Sequence, residues 1–191
     1  MPHPSNLSES PAAAAPVNEP PCPSDDLRRL DDCRDFRDAL GRFATGVTVL
    51  TALTADGEPI GVTISSFNAV SLQPPLILWS LACDSPRLDV FRNAAAYAVN
   101  VLAVDQQGIS DAFASREDRP FSGLAVRRGL AGVPLIEACT AWFECSHEAH
   151  YPGGDHLVFL GRVQRFARGK MAAPLIFHGG RYRALGGDSA P

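Results

Sequence analysis

A run of small hydroxyl residues lies at what the pattern indicates is a strand end, at residues 63–71. It contains Thr63, Ser65 and Ser66, and the pair Pro74-Pro75 follows it. Hydroxyl groups this small offer hydrogen bonds without bulk, so the backbone beside them can approach a flat, polar-edged ring system closely. The same composition is typical of a strand end that makes only local turn bonds, and composition alone favours that plainer interpretation.

A second segment, Asp84-Ser85-Pro86-Arg87, has the residue types that begin a helix, with a hydroxyl for the N-cap and proline at the first helical position. The N-terminus of a helix presents free N–H groups and the positive end of a dipole, which suit a phosphate. Ser85 could add a hydroxyl and Arg87 a cation. An ordinary capped helix with a solvated arginine is the commoner alternative.

A third segment, Gly153-Gly154-Asp155-His156, is typical of a tight hairpin turn. The glycines leave the space above the turn open, and Asp155 can orient a neighbouring imidazole. His156 begins the returning strand, where its ring could contact an amide of a bound ligand or assist a proton transfer. A plain Gly-Gly turn with a polar exit is the alternative.

Histidines and glutamates of the predicted hairpin are further candidates, for metal binding and for acid–base chemistry. His147 and His150 lie on the strand partnering His156, which raises the question of a metal site. These histidines lack carboxylate or thiol partners at metal-binding spacing, so we predict no metal site. Glu144 and Glu148 share one strand face, which is a weak indication of paired acid–base chemistry.

Composition excludes several classes of protein. The chain has 191 residues, of which 46% are hydrophobic, and this size and composition are typical of one globular domain. Its net charge of −4 disfavours a nucleic-acid binder. No apolar run approaches the roughly 20 residues of a membrane-spanning helix, and no secretory signal is apparent. The five cysteines form no C-x-x-C pair, which indicates buried free thiols. We therefore expect a soluble, cytoplasmic protein.

The elements that position these segments follow from hydrophobic patterning. Residues 1–30 are rich in Pro, Ala and Ser and predict a disordered extension, residues 31–186 predict the folded domain, and 187–191 predict a flexible tail. The domain opens with an amphipathic helix from Asp31, carrying Phe36, Leu40 and Phe43 on one face and ending at Gly46.

Strands dominate the rest of the domain. Further helices are predicted at residues 84–93 and 105–113, the second capped by Asp105, with a long loop at 115–131. Because short turns such as Asp56-Gly57 join the strands, we predict a mainly β fold, an antiparallel barrel with a few peripheral helices. The absence of G-x-G-x-x-G argues against a Rossmann site. The predicted strands are 47–53, 60–67, 74–81, 97–103, a long one after Pro134 through His147, and 156–166; residues 174–177 followed by 181–183 predict a short terminal strand and turn.

Taken in order, the motifs are more specific than any one of them. They are RFATGVTVLT at 42–51, GVTISSFNAVSLQPP at 61–75, DSPR at 84–87, AVNVL at 98–102, PGGDH at 152–156, LGRV at 160–163 and PLIFHGGRY at 174–182. This series resembles the flavin reductase family of FMN-binding split barrels, which includes the reductase components of two-component flavin-dependent monooxygenases. The resemblance covers residues 34–186.

The resemblance implies a homodimeric split β-barrel that binds FMN or FAD near the dimer interface. It implies hydride transfer from NADH or NADPH to the flavin, and release of reduced flavin to a separate monooxygenase. Thr63, Ser65 and Ser66 match the flavin-ring segment, although many relatives carry Asn where this chain has Ser65. The segment with Ser85 and Arg87 falls on the flavin phosphate side.

The GDH motif, which includes Asp155, implies that His156 is the catalytic residue, in contact with the nicotinamide, and that Asp155 also belongs to the binding site. Two other functions remain open at this point. One is a flavoprotein of the same barrel that holds FMN tightly and acts on another substrate. The other is a non-enzymatic binding module.

Overall fold

The computed structural model describes residues 33–115, 120–169 and 171–185. The predicted extension at 1–30 and the predicted tail at 187–191 lie outside them. The first helix, α1, is Cys33–Leu40, and none of its side chains is buried. Leu40 is 58% exposed, and Phe43, just beyond the helix, is 73% exposed. The predicted helix end at Gly46 is wrong, because Gly46 pairs with Ile176 in a short strand.

Within the described residues the strands pair only in antiparallel fashion. The strands are β1 (Thr45–Gly46), β2 (Thr48–Leu53), β3 (Pro59–Ile64), β4 (Asn68–Leu72), β5 (Pro75–Ala82), β6 (Ala96–Val101), β7 (Val126–Arg128), β8 (Pro134–Ile136), β9 (Ala141–Gly153), β10 (His156–Arg168), β11 (Ile176–His178) and β12 (Arg181–Arg183). The other helices are α2 (Leu88–Asn93), α3 (Gln107–Ala114) and two 3-10 turns, Val104–Gln106 and Leu130–Gly132.

Seven strands form the main sheet, in the order β3-β2-β6-β9-β10-β5-β4. The sheet curves until β3, at one edge, lies against β5, next to the other edge. A second sheet has the order β1-β11-β12, and β7 pairs with β8. Gly57 and Gly154 adopt φ of 83° and 71° in the turns after β2 and β9, a conformation that glycine tolerates best. The prediction of a mainly β, antiparallel fold with peripheral helices is confirmed.

Both faces of the central strands are buried. Leu50 of β2 packs into one hydrophobic cluster and its neighbour Val49 into another, because successive side chains of a strand point to opposite faces. The first cluster centres on Trp79, whose ring stacks on Phe159 with 4.1 Å between centroids. The second contains the fully buried Phe113 of α3. Helix α3 is thereby fixed against the sheet by burial of its apolar face.

The helix starts differ from those predicted. The N-cap of α2 is Arg87 rather than Ser85, because the Ser85 hydroxyl accepts the Arg87 N–H at 3.3 Å in a local turn before the helix. Asp105 does not cap α3. Instead, the Gln106 side chain accepts the Ala103 N–H at 2.9 Å and so holds the turn that leads into the helix.

One loop prediction and one strand prediction were also wrong. The segment 115–131, expected to be a loop, contains β7, which pairs with β8. The long strand expected to run from Pro134 is interrupted, because the chain turns at Ala138, whose φ is 60°, before β9 begins at Ala141. The thiol prediction holds for Cys139 and Cys145, which are buried and free, whereas Cys83 is exposed.

A buried amide joins three strands of the core. Asn100 of β6 is fully buried and donates to the Val49 carbonyl at 2.9 Å and to the Thr51 hydroxyl at 3.1 Å. Its side-chain oxygen accepts the Ile136 N–H at 2.8 Å, and the Thr51 hydroxyl donates to the Pro134 carbonyl at 2.6 Å. The amide therefore holds β8 onto β2 and β6.

Asn100→Ala is expected to lower the free energy of unfolding by about 2–4 kcal/mol, because it leaves a buried N–H and a buried carbonyl without partners. Urea denaturation measures this change. Asn93→Ala, at an exposed amide that donates to Asp89, is the matched control and should cost less than about 0.5 kcal/mol. Equal effects of the two variants would contradict the role assigned to Asn100.

Candidate functional site

A pocket of about 170 Å³ opens where three elements meet: the end of β3, helix α3 and the β11–β12 hairpin. We call it the ring pocket. Its walls combine apolar side chains with hydroxyl groups, a mixture that fits a ring system with an apolar part and a polar edge. The lining residues are Val47, Thr63, Ile64, Ser65, Ser110, Ala114, Phe177 and Tyr182.

The predicted ring-binding residues occupy different positions around this pocket. The Thr63 hydroxyl donates to the Ser110 carbonyl at 2.7 Å and so ties β3 to α3. Ser65 is exposed and lines the pocket, and within the described residues its hydroxyl makes no hydrogen bond. Ser66 does not line the pocket. Its hydroxyl accepts the Ser80 N–H at 2.9 Å and donates to the Ser80 carbonyl at 3.1 Å, which fixes the turn after β3 onto β5.

Sequence reasoning missed the residues that close the pocket on its other side. The Tyr182 hydroxyl donates to an Asp111 carboxylate oxygen at 2.9 Å and lies 2.9 Å from the Ser110 hydroxyl, which then donates to it. Burial raises the pKa of the Tyr182 phenol above its usual value, so it remains a neutral donor. The residues around Tyr182 in the sequence did not indicate this role, because its partners Ser110 and Asp111 are about seventy residues away in the chain.

The predicted phosphate segment lies outside the ring pocket but is joined to it through α3. The Arg87 guanidinium donates to the Ser115 carbonyl at 3.0 Å, at the C-terminal end of α3. Ser110 and Ser115 are five residues apart, roughly 7.5 Å along a helix axis. The structure thus places the start of α2 near one end of α3, and the Arg87 side chain makes a hydrogen bond within the protein.

Asp155 and His156 come together as predicted. His156 Nδ1–H donates to the Asp155 carboxylate at 2.7 Å, and this bond lowers the pKa of Asp155 below its usual value. With the proton on Nδ1, the Nε2 atom of a neutral ring is left as a hydrogen-bond acceptor. The His156 side chain is 43% exposed, so the imidazole is partly open to solvent.

The hairpin turn is also fixed to the predicted phosphate segment. His156 pairs with Ala82, the last residue of β5, and the Cys83 N–H donates to the Asp155 carbonyl at 2.8 Å. Because Ser85 follows two residues later, the structure holds the turn and the start of α2 at the same end of β5 and β10. Neither Asp155 nor His156 lines the ring pocket.

Two further histidines of the long hairpin, His147 and His150, contact each other. His147 Nε2 and His150 Nδ1 lie 3.1 Å apart, and burial with the neighbouring His150 lowers the pKa of His147. The described residues contain no group of three ligating side chains that could hold a metal ion.

The two glutamates weighed for acid–base chemistry are each paired with an arginine. Glu148 accepts two bonds from Arg162, at 2.7 and 2.6 Å. Glu144 pairs with Arg165 at 2.6 Å and also accepts the Leu130 N–H. This pairing accounts for both carboxylates without any role in catalysis.

No helix in the described part of the chain is both long and apolar enough to cross a bilayer.

Comparison with known proteins places the chain in a family. The family model described as flavin reductase like domain matches residues 40–186. The chain is 45% identical over 152 residues to FMN reductase (NADH) SmoA of Agrobacterium fabrum, covering 80% of this chain and 86% of that protein.

Another relative is the reductase component of the flavin-dependent trigonelline monooxygenase of Acinetobacter baylyi. It is 37% identical over 157 residues, and the chain spans only 50% of its length. Among solved structures, the NADH:FAD oxidoreductase SgcE6 of Streptomyces globisporus, in complex with NAD and FAD fragments, superposes with a TM-score of 0.81 at 34% identity. That match covers 86% of this chain and 99% of the other. It confirms the split-barrel prediction, and the chain belongs to the flavin reductase family.

Proposed function

We propose that this protein transfers a hydride from a reduced nicotinamide nucleotide to a flavin, FMN or FAD, and supplies the reduced flavin to a separate monooxygenase. The observation that carries the proposal is the ring pocket. Residues predicted to face a flavin ring, Thr63 and Ser65, line it in a chain that belongs to the flavin reductase family. The names of the two relatives described above support reduction of FMN by NADH and a monooxygenase as partner.

The protein's task in such a reaction is positioning rather than acid–base chemistry. A bound flavin supplies the electrophilic N5 atom that accepts the hydride. Ser65 offers a hydroxyl at the open side of the ring pocket, and Phe177 offers an apolar wall. Thr63 and Tyr182 hold α3 and the β11–β12 hairpin in place around it. This division agrees with the absence of an unpaired buried carboxylate near the pocket among the described residues.

His156 is proposed to bind the nicotinamide. The amide of a nicotinamide carries two N–H donors, and the Nε2 acceptor of His156, oriented by Asp155, is complementary to them. Orientation matters because hydride transfer requires near-attack geometry of the reacting atoms. Asp155 acts as a positioning residue through the imidazole.

The ring pocket is small for its proposed ligand, which supports a homodimer. Pockets that enclose ligands of this size have volumes of roughly 300–1,000 Å³, against about 170 Å³ here. Large apolar side chains also lie exposed, Leu72 at 91%, Phe43 at 73% and Phe166 at 72%. Leu76 and Leu78 are only half-buried on the outer face of β5. A second copy would cover such surface and complete the pocket.

We also assign the protein to the cytoplasm. The free thiols of Cys33, Cys83, Cys139 and Cys145 agree with a reducing compartment.

The purified protein is expected to be a dimer of twice the 20.4 kDa chain mass in light scattering at micromolar concentration. A monomer at that concentration would contradict the homodimer.

The reaction itself is tested by a matrix of NADH and NADPH against FMN, FAD and riboflavin, followed by the absorbance of the reduced nucleotide. We expect flavin-dependent oxidation with at least one pair, because the chain belongs to the flavin reductase family and its ring pocket is lined by the predicted flavin-ring residues Thr63 and Ser65. Folded protein that oxidises neither nucleotide with any flavin would rule out the proposed reaction.

His156→Ala is expected to lower kcat/KM for the nucleotide by roughly threefold to tenfold, corresponding to a lost hydrogen bond worth about 0.5–1.5 kcal/mol. Flavin affinity should be nearly unchanged. His150→Ala, on the same hairpin and exposed, is the control and should keep wild-type kinetics. If His156 serves only the turn, its variant will lose thermal stability and keep its kinetics, and the residue then leaves the site.

Tyr182→Phe is expected to raise the flavin Kd by roughly twofold to tenfold, because loss of the hydroxyl frees α3 from the hairpin and loosens the ring pocket. Quenching of flavin fluorescence on binding measures the change. Tyr151→Phe, at an exposed tyrosine of the β9–β10 hairpin, is the matched control. Unchanged flavin affinity, with a lower melting temperature alone, would restrict Tyr182 to a structural role.

A further inference from the structure

A second depression, of about 560 Å³, lies between the end of α1 and the β11–β12 hairpin. Four arginines line it: Arg37, Arg42, Arg181 and Arg183. We call it the arginine groove. The Gly179 N–H donates to the Gly41 carbonyl at 2.8 Å, which fixes the tip of the hairpin to the end of α1. The groove is therefore a fixed feature of the fold.

The positive charge in this groove is only partly compensated. Among the described residues none of its four guanidinium groups forms an ion pair, and Asp38 is the single carboxylate in its lining. Elsewhere, Arg162 and Arg165 each have a glutamate partner within 2.6 Å. Concentrated cations in a protein whose net charge is −4 favour an anionic ligand. The planar guanidinium forms paired hydrogen bonds with phosphate oxygens.

The arginine groove adjoins the ring pocket. Phe177 lines both depressions. On β12, Tyr182 lines the ring pocket, and its two neighbours, Arg181 and Arg183, line the groove. This alternation follows from the opposite directions of successive side chains on a strand. A ligand that placed a ring beside Tyr182 would have cationic side chains within reach of the rest of its length.

The Arg87 guanidinium donates one hydrogen bond to the Ser115 carbonyl and does not line the ring pocket. The cations of the arginine groove lie directly beside that pocket, because Phe177 lines both depressions. We infer that the arginine groove binds the diphosphate of a dinucleotide whose ring lies in or over the ring pocket, either FAD or the reduced nicotinamide dinucleotide. This inference rests on the proposed function, since it requires that the ring pocket receives the ring.

The test is the double variant R181Q/R183Q in the full-length protein, with R92Q/R168Q as the control. The control removes the same two charges from exposed arginines that do not line the groove. Binding of FAD and of FMN is measured by quenching of flavin fluorescence, which needs no turnover. Steady-state kinetics then compare NADH with reduced nicotinamide mononucleotide, and melting temperatures check that each variant is folded.

If the groove holds the FAD diphosphate, R181Q/R183Q will raise the Kd for FAD by about tenfold or more and that for FMN less than about threefold. If it holds the nicotinamide dinucleotide, the KM for NADH will rise by a similar factor and that for the mononucleotide will not. The control variant should leave all four values within about twofold. Equal losses for mononucleotides and dinucleotides, or no loss for either dinucleotide, would overturn the inference.

The binding arm separates this inference from the proposed function. If the wild-type protein oxidises no nucleotide, but R181Q/R183Q selectively weakens FAD binding, the proposed reaction is refuted and the role of the arginine groove is supported. A wild-type protein that reduces flavin, with R181Q/R183Q indistinguishable from it, supports the reaction and refutes the groove.

Discussion

One hydrogen bond, from the Thr63 hydroxyl to the Ser110 carbonyl, joins the main sheet to α3, and the candidate site depends on it. Helix α3 supplies Ser110 and Ala114 to the ring pocket, is held by the Tyr182 hydroxyl through Ser110 and Asp111, and is followed by the carbonyl that binds Arg87. The burial of Phe113 beneath it adds the apolar part of the attachment. A shift of α3 would therefore change the ring pocket and the start of α2 together.

The chemistry agrees with such a site. A flavin and a nicotinamide bring the reacting atoms themselves, so the protein contributes binding and geometry. Both glutamates of the long hairpin are paired with arginines, Glu148 with Arg162 and Glu144 with Arg165, and serve the β9–β10 structure. The Nε2 acceptor of His156 and the cations of the arginine groove both suit parts of a dinucleotide.

The sequence predicted those turns and strands that are determined by residues close together in the chain. The turns at Asp56-Gly57 and Gly153-Gly154 and the antiparallel, mainly β architecture follow from turn chemistry and short apolar runs. Contacts distant in sequence decided the rest. Gly46 ends no helix because it pairs with Ile176, and the Ser66 hydroxyl bonds the backbone of Ser80 on another strand. Tyr182 could not be predicted from its surroundings, since its role arises only when a terminal hairpin packs on α3.

We propose that the flavin ring lies in the ring pocket between β3, α3 and the β11–β12 hairpin. A crystal structure of the protein with oxidised FMN tests it most directly. We expect the polar edge of the ring within hydrogen-bonding distance of the Ser65 segment, with Phe177 and Tyr182 against the ring. A flavin bound with its ring away from Thr63, Ser65 and Tyr182 would contradict the account.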